Sequence, residues 1–413
     1  MAHNFPEEII HDILFRLPPK SLIRCTSVCK PWNSMIKSPS FIRTHLSRTI
    51  DLNNQFGTHL LLLDCVRPLY SHVNDKFPME RYCSLRYDNL AFDEYCKLEF
   101  PVASKEELHR PNLLVFGVCN GLVLLGGYKR KLEYTFKLCN PSMRKSVTLP
   151  KLHPRFKMVL VYFGFGFDAV TNDYKVVKLS RAFRPDNLNI LYEVYSLAGG
   201  SWSDPLSLDH ICTFNRLHKL HAFVNGAIHW IAERNLADGV DEYFILAFDV
   251  GSDSFHRIMV PKNFRSSKLH QLSVSGYGKS IALCRHYFID SFEPYLEIWV
   301  MKEYGMEESW TKLTALISPG PKRNCLYWPL CFRKSGDVVL VPIDRCEYDE
   351  YDEDDEDDEN DENDENDDRY GLVCLDLVSK QCTNLGIDGY KQYYAKSFVE
   401  SLVLLDNTDA VSY

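Results

Sequence analysis

The feature that most constrains the fold of this 413-residue chain is a pair of turn-forming residues that returns about every fifty positions. The second residues of successive pairs are 52, 53, 52 and 58 positions apart, and each pair precedes a short apolar stretch. Asn-Gly and similar pairs adopt positive φ easily, so they favour tight β-hairpins. The five pairs are Asn120-Gly121, Asn172-Asp173, Asn225-Gly226, Tyr277-Gly278 and Ser335-Gly336.

A second series of turns lies later in each repeat and gives it four strands; its members are centred on Asn140-Pro141, Gly199-Gly200, Gly251-Ser252, Gly305 and Ser379. Four strands in about fifty residues are typical of a kelch-like propeller blade. Five repeats occupy residues 110–387, and apolar stretches remain at His59–Asp64, Tyr82–Leu98 and Phe398–Leu405. We expect these remainders to form a sixth blade that pairs the two chain ends, since closure removes open sheet edges. A β-sandwich is the alternative.

An acidic run interrupts the last repeat. Between Glu347 and Asp368, 17 of 22 positions are Asp or Glu, and without them the chain carries 47 basic and 39 acidic residues. The net charge thereby changes from −9 to +8, so the rest of the chain is mildly basic. Residues 347–368 predict a disordered, solubilising insertion, because their carboxylates repel one another and lack apolar partners. The alternatives are a lure for a basic partner, a mask over a basic surface or, more weakly, calcium binding.

The first forty residues have helical rather than alternating periodicity. Ile9, Ile10, Ile13, Leu14 and Leu17 form one apolar stripe, and prolines interrupt the pattern repeatedly afterwards. So short a segment cannot bury all of its apolar groups within itself. It either packs on the rest of the chain or docks a partner.

The sequence lacks the patterns of an active site. Fourteen cysteines occur without a CxxC pair, and no Cys/His spacing suits zinc. Gly164–Ala169 fits a loose GxGxxA pattern, but more strand follows, so we expect its glycines to pack a sheet. His218 and His221 are a polar pair before a predicted strand, and such a pair indicates a solvated loop. We expect no catalytic residue, metal or cofactor, no nucleic-acid or membrane partner, and a cytoplasmic or nuclear location with reduced thiols.

The helical region closely resembles the plant F-box in four consecutive segments: Phe5–Ile10, Ile13–Leu22, Val28–Trp32 and Ile36–Phe41. The resemblance implies an F-box at residues 1–50 that inserts into the Skp adaptor of a cullin-RING ubiquitin ligase, the cullin being bound indirectly. Phe5 stands where the family usually has leucine. The positions that match adaptor contacts are Pro6, Ile10, Leu14, Leu17, Pro18, Leu22, Val28 and Trp32. For each of them a role in the helical core is the alternative.

Residues from about 100 to 405 resemble the F-box-associated domain of the same proteins, which implies such a domain over residues 51–413. The matching segments are Phe116–Leu122, Leu138–Ser142, Phe163–Asp168, Asp173–Val177, Tyr192–Ser196, Phe223–Gly226, Glu297–Met301 and Phe398–Leu402. The chain therefore resembles an α+β multi-domain protein, with a small helical F-box followed by an all-β propeller-like domain of about six four-stranded blades. Within the group it is most similar to S-locus F-box, S-locus F-box-like and F-box/kelch-repeat proteins.

The resemblance implies a non-catalytic substrate receptor of a Skp–cullin–F-box ligase that marks proteins for proteasomal degradation. An S-locus receptor for basic pistil ribonucleases is one alternative, and a non-degradative propeller binding protein or inhibitor is another. A propeller enzyme is a third alternative, but it needs converging acid–base groups or metal ligands. The substrate itself is not specified by the sequence.

Loop lengths indicate where a substrate would bind. In a four-stranded blade the connections between second and third strands share one edge, and here they are irregular: Gly126–Tyr134, Arg181–Leu191, Glu233–Glu242, His286–Tyr295 and Arg345–Arg369. Variation of length concentrates where loops carry function. We therefore expect this edge to recruit the substrate, with Lys129, Arg130, Lys131, Arg181 and Arg184 as basic contacts beside the acidic insertion.

Overall fold

The computed structural model of the protein describes most of the chain. The described residues are 6–68, 79–101, 113–128, 134–151, 158–182, 190–208, 212–214, 221–235, 241–264, 272–289, 293–317, 319–321, 325–344, 371–390 and 392–413. Within these ranges, none of the helices combines the length and the hydropathy needed to cross a membrane.

Four α-helices form the N-terminal region of the described chain: α1 (Glu7–Phe15), α2 (Pro19–Cys25), α3 (Lys30–Ile36) and α4 (Pro39–Phe56). Prolines stand in the first turns of the last three helices, where the missing N–H would have had no partner within the helix. Ser38 caps α4, since its hydroxyl oxygen accepts a hydrogen bond of 3.3 Å from the backbone N–H of Phe41. The helical periodicity is thus confirmed.

Strands dominate the rest of the described chain, in which Lys262–Phe264 and Glu307–Ser309 form short 3-10 helices. The first nine are β1 (Leu60–Pro68), β2 (Met79–Tyr87), β3 (Glu94–Lys97), β4 (Leu114–Cys119), β5 (Leu122–Tyr128), β6 (Tyr134–Asn140), β7 (Lys145–Thr148), β8 (Met158–Asp168) and β9 (Asp173–Ala182). The next nine are β10 (Ile190–Ser196), β11 (Ser201–Trp202), β12 (Leu206–Ser207), β13 (Thr213–Phe214), β14 (Ala222–Val224), β15 (Ala227–Asn235), β16 (Asp241–Asp249), β17 (Ser254–Met259) and β18 (Leu272–Tyr277). The last nine are β19 (Ser280–Ile289), β20 (Glu293–Met301), β21 (Trp310–Ile317), β22 (Cys325–Phe332), β23 (Val338–Asp344), β24 (Val373–Leu375), β25 (Cys382–Asn384), β26 (Gln392–Phe398) and β27 (Val411–Ser412).

These strands form six sheets that follow one another along the chain. Their orders are β26-β1-β2-β3, β27-β7-β6-β5-β4, β11-β10-β9-β8, β13-β15-β16-β17, β18-β19-β20-β21 and β22-β23-β24-β25, with β12 paired to β10 and β14 paired to β15. Within each sheet most strands pair with the strand that precedes or follows them in the chain, which is the arrangement of a six-bladed β-propeller. The prediction of about six blades is confirmed, and the sandwich alternative is wrong.

The first sheet joins the two ends of the chain, because β26 pairs with β1. The predicted position of the closing strand is wrong, since that strand is Gln392–Phe398 rather than Phe398–Leu405. Residues Val399–Leu405, here called the C-terminal segment, leave the ladder instead. Their backbone carbonyls turn to Asn140, whose side-chain amide donates to Ser401 and Val403. Alternation of apolar residues could not reveal that side-chain bond.

The predicted turns adopt the backbone geometry that their residues favour. Asn120 and Gly121 have φ of 49° and 82°, and Asn225 and Gly226 have φ of 51° and 74°. Both residues of a type I′ hairpin turn require positive φ, so asparagine and glycine fix these hairpins locally. The repeat of about fifty residues is therefore the spacing between equivalent turns of neighbouring sheets.

The acidic run is an insertion into the last sheet of the series. Strand β23 pairs directly with β24, as Leu340 faces Val373, although residues 345–372 separate them in the chain. The predicted placement of the run between these two strands is confirmed. The run itself, residues 347–368, lies outside the described residues.

The described chain divides into two compact units. One comprises Met1–Leu62, Ser84–Leu152 and Ser397–Tyr413, and the other comprises Leu63–Cys83 and His153–Lys396. Within the second unit the apolar core lies between successive sheets: Tyr162 and Leu179 pack with Ile228, Trp230 and Phe244. Two further clusters repeat this arrangement between the later sheets.

Candidate functional site

The N-terminal helices divide their apolar side chains between a buried core and an exposed surface. Leu14 and Leu22 are 1% and 0% exposed, whereas Ile9 and Ile13 of α1 are 47% and 53% exposed, and Val28 is 62% exposed. Positions four residues apart lie on one face of a helix, so Ile9 and Ile13 share an outward face of α1. We call Ile9, Ile13 and Val28 the apolar helix surface.

Aromatic packing holds α1 and α4 together beneath that surface. Ring centroids of Phe15 and Phe41 are 5.8 Å apart in an edge arrangement, and His45 stacks on Phe41 at 6.0 Å. Nε2 of His45 lies 2.8 Å from the carbonyl oxygen of Leu17. Burial lowers the pKa of His45, so the ring stays neutral at pH 7 and donates from Nε2 to this carbonyl. The helices therefore have their own ordered core.

The eight predicted adaptor contacts fall into two groups. Leu14 and Leu22 are buried in the helical core, as the alternative to an adaptor contact predicts. The other six are exposed or half-buried: Pro6, Ile10, Leu17, Pro18, Val28 and Trp32. Their role as contacts stays a prediction. The sequence reasoning placed Ile9 and Ile13 in the apolar stripe of α1 but did not select them as contacts, since no local signal distinguishes them from Ile10 and Leu14.

The predicted substrate edge is described only in part. Lys129, Arg130, Lys131 and Arg184 lie outside the described residues. Arg181 stands at the end of β9 opposite Ile190 and lines a small cavity whose other walls are mainly apolar, among them Tyr162 and Leu179. The connections in question do join second to third strands of their sheets. Recruitment of a substrate at this edge stays a prediction.

The glycine-rich motif has a packing role. A Cβ on Gly164 would overlap the indole of Trp230, and one on Gly166 would lie 2.7 Å from the ring of Phe223. These glycines let β8 approach the neighbouring sheet, so the sheet-packing interpretation of the motif is confirmed. Among the described residues, no group of three or more His, Cys, Asp or Glu side chains could hold a metal ion.

The expectation for His221 was wrong, while His218 lies outside the described residues. His221 is buried, and its Nε2 accepts a hydrogen bond of 3.1 Å from the backbone N–H of Phe165. Burial lowers the pKa of His221 to about 3. The polar residues that precede β14 indicated a solvated position for His221. Its ring is instead buried and joins two sheets through the hydrogen bond from Phe165.

Comparison with known families supplies the assignment that the geometry alone does not give. Residues 3–44 match the F-box domain, and residues 92–350, more than half of the chain, match the family described as the F-box associated beta propeller domain. The chain is an F-box protein of the F-box-associated propeller family. The F-box match contains the apolar helix surface, and the propeller match contains β3 to β23.

Two plant F-box proteins show the extent of the similarity. F-box protein CPR1 of Arabidopsis thaliana is 27% identical over 97% of this chain and 89% of its own length. F-box protein At3g07870 of the same plant is 29% identical over 78% of this chain and 75% of its own length. The chain is thus similar to plant F-box proteins over most of its length.

Solved structures with similar folds are more distant. The propeller domain of the Trilobed protease from Pyrococcus furiosus has a TM-score of 0.37 at 9% identity, over 79% of this chain and 83% of that one. An α-L-arabinanase from Penicillium chrysogenum also has a TM-score of 0.37, at 10% identity over 67% of this chain and 84% of that one. Similarity at this level carries no information about activity.

Proposed function

We propose that this F-box protein is the substrate-recognition subunit of a Skp–cullin–F-box ubiquitin ligase. The observation that carries the proposal is the apolar helix surface: Ile9, Ile13 and Val28 are exposed, whereas the other large apolar groups of residues 6–44 are buried or half-buried. Apolar side chains left exposed on a small domain favour a protein–protein interface over solvent. The partner is a Skp adaptor, through which the chain reaches the cullin-RING scaffold.

The chain contributes binding rather than chemistry in this proposal. Ubiquitin transfer then depends on proximity, because the receptor raises the local concentration of target lysines near a conjugating enzyme held by other subunits. An adaptor interface of standard size buries about 1,600 Å² in total. The helices supply one side of that interface, and the propeller presents the target. The complex would work in the cytoplasm or the nucleus.

A double substitution in α1 tests the adaptor part of the proposal. Ile9→Asp with Ile13→Asp places two carboxylates on the apolar helix surface without touching the helical core. Reconstituted ligase containing this variant should lose at least 90% of ubiquitin transfer to the receptor's own lysines. Val378→Asp is the matched control, because Val378 is 93% exposed but lies on a propeller turn. Equal transfer by both variants would contradict the proposal.

The substrate class follows from charge. A basic target protein would be attracted by the 17 carboxylates of residues 347–368, and attraction of this kind acts mainly on the association rate. Affinity capture with the proteasome blocked, from plant extract, compares the full chain with a deletion of residues 347–368. If the deletion variant captures fewer basic proteins, the insertion attracts a basic target. If both forms capture the same proteins, the insertion only solubilises the chain.

A non-degradative binding protein is the alternative of another class. Both candidates bind the adaptor and a target, so capture does not separate them. The variant with Ile9→Asp and Ile13→Asp separates them. If the protein is a ligase receptor, its target should accumulate in cells that express this variant in place of the parent. A captured target whose lifetime is the same with either form is not a degradation substrate.

A further inference from the structure

The C-terminal segment, Val399–Leu405, is irregular in backbone but well buried. Ser401 and Leu402 are fully covered, and the last three residues of the segment are nearly so. A segment without sheet pairing needs other partners for its buried polar groups. Those partners lie on two different parts of the molecule.

On one side the C-terminal segment is fixed to the sheet of β4–β7. The side-chain amide of Asn140 donates to the carbonyl oxygens of Ser401 (3.0 Å) and Val403 (2.8 Å). Gly121 admits the segment closely, since a Cβ there would lie 2.5 Å from the carbonyl oxygen of Val399. The segment is therefore held as part of the propeller body.

On the other side, Glu400 of the C-terminal segment contacts helix α2 of the F-box through Lys20. The hydroxyl of Tyr95, on β3, donates a hydrogen bond of 3.3 Å to Oε2 of Glu400, and Nζ of Lys20, on α2, lies 3.8 Å from Oε1. The same ammonium group lies 5.6 Å from the centroid of the Tyr95 ring, within cation–π range. Burial next to the Glu400 carboxylate raises the pKa of Tyr95 to about 12, so its phenol remains a donor at neutral pH.

We propose that Glu400, together with Tyr95 and Lys20, fixes the orientation of the F-box helices against the propeller blade that carries the C-terminal segment. These are positioning residues, and the inference rests on the proposed function, because orientation matters only if the F-box binds the adaptor. Transfer by proximity depends on how a target is held relative to the conjugating enzyme. Glu400, Tyr95 and Lys20 would therefore determine which lysines come within reach of the conjugating enzyme.

The arrangement differs from an ordinary surface ion pair, which contributes little. The side chain of Glu400 is only 15% exposed, whereas that of Lys20 is 56% exposed. Glu400 precedes Ser401, whose carbonyl is bound by Asn140, and its carboxylate accepts a hydrogen bond from Tyr95 and forms an ion pair with Lys20. Removing Lys20 thus leaves a half-buried carboxylate with one partner, and repulsion replaces attraction when Lys20 becomes acidic.

The direct test is the distribution of distances between two labels in the full chain. Encoded non-canonical residues at Ser34, exposed on α3, and Thr148, exposed at the end of β7, carry spin labels for pulsed dipolar spectroscopy. The unmodified pair should give one narrow distance peak. Lys20→Glu and Glu400→Lys should each widen the peak at least twofold, and the double swap should restore its original width.

A second ion pair provides the matched control. Glu99 and Arg144 are 3.1 Å apart but both exposed, so Glu99→Gln should leave the distance peak unchanged. Identical narrow peaks for all variants would overturn the inference. A widening that the swap fails to reverse would also overturn it, since that result indicates general loss of structure.

A binding arm separates failure of this inference from failure of the proposed function. Each labelled variant is titrated with a Skp adaptor, and the affinity of Glu400→Lys should stay within threefold of the parent. In reconstituted ligase, the same variant should shift which propeller lysines are modified, as measured by mass spectrometry. An unchanged pattern with normal adaptor affinity overturns the positioning role alone, whereas absence of adaptor binding by the parent overturns the proposed function.

Discussion

Strand β22 and helix α1 use apolar side chains in opposite ways. All eight residues of β22, Cys325–Phe332, are buried, whereas α1 buries Leu14 fully and leaves Ile9 and Ile13 about half exposed. The strand contributes to cores on both of its faces. The helix contributes one face to its own core and leaves another exposed. The comparison teaches that burial separates residues that build the propeller from residues available to a partner.

Removing a large buried ring should have the largest effect on stability. Trp230 fills the space above Gly164, and its Nε1 donates a hydrogen bond of 3.2 Å to the carbonyl oxygen of Phe163. Trp230→Ala should lower the free energy of unfolding by about 4 kcal/mol, because it leaves a cavity between two sheets. Urea unfolding measures the change, and a loss below about 1 kcal/mol would show that the sheets are not packed as described.

Removing the amide that holds the C-terminal segment should have the next largest effect. Asn140→Ala leaves the carbonyl groups of Ser401 and Val403 without their donor, and each buried unpaired group costs about 1–3 kcal/mol. We expect a loss of about 3 kcal/mol in urea unfolding. Asn384→Ala is the control, since its side chain is exposed and accepts one bond from Gly386. Equal losses would contradict the role of Asn140.

The pH dependence of stability should report a buried histidine. Nδ1 of His229 lies 3.0 Å from the carbonyl oxygen of Ala222, Nε2 lies 2.7 Å from the hydroxyl of Tyr304, and burial lowers the pKa of His229 to about 4. Above about pH 6.5 the ring is neutral in both states. As the pH falls from there towards 4, the unfolded chain binds a proton that the folded chain does not, so stability decreases.

His229→Gln should make that pH dependence shallower. The parent should lose about 2 kcal/mol more than the variant between pH 7.5 and pH 5. Urea midpoints at pH 7.5, 6 and 5 provide the measurement. Parallel curves for parent and variant would show that His229 gains a proton as easily in the folded chain as in the unfolded one.

Charging the apolar helix surface should have the smallest effect on stability. Ile13→Asp changes an exposed position, so the free energy of unfolding should change by no more than about 0.5 kcal/mol. Thermal unfolding of the full chain checks this value. A loss above about 2 kcal/mol would mean that Ile13 belongs to a core, and the contrast between α1 and β22 would fail.

Much of the fold was predictable because its signals are local. Asn225-Gly226 specifies a hairpin by its own backbone preference, and five such turns at similar spacing specify sheets of similar size. The acidic insertion could be placed because residues that cannot pack interrupt a repeat of nearly constant length. The F-box was predictable from four segments in the right order.

The remaining features depend on partners distant in sequence. Asn140 and Ser401 are 261 positions apart, and no local pattern pairs them. The burial of His221 depends on the backbone of Phe165 in another sheet. Leu14 and Ile13 are adjacent and equally apolar, so only the packing of α4 against α1 decides which of them is covered.

One local signal was overlooked. Asp168 and Asp376 each accept backbone hydrogen bonds from the residues two and three positions later, and each also accepts from the hydroxyl at the third position. Asp followed three residues later by Ser or Thr thus closes a turn by itself. This pattern could have located both turns without the glycine spacing.

The most direct test of the central claim is a calorimetric titration of the full chain with a Skp adaptor. The account predicts one-to-one binding by the parent and by Val378→Asp, and binding at least 100-fold weaker by the variant with Ile9→Asp and Ile13→Asp at unchanged thermal stability. Equal affinity for all three proteins would contradict the claim that the exposed face of α1 is the adaptor surface.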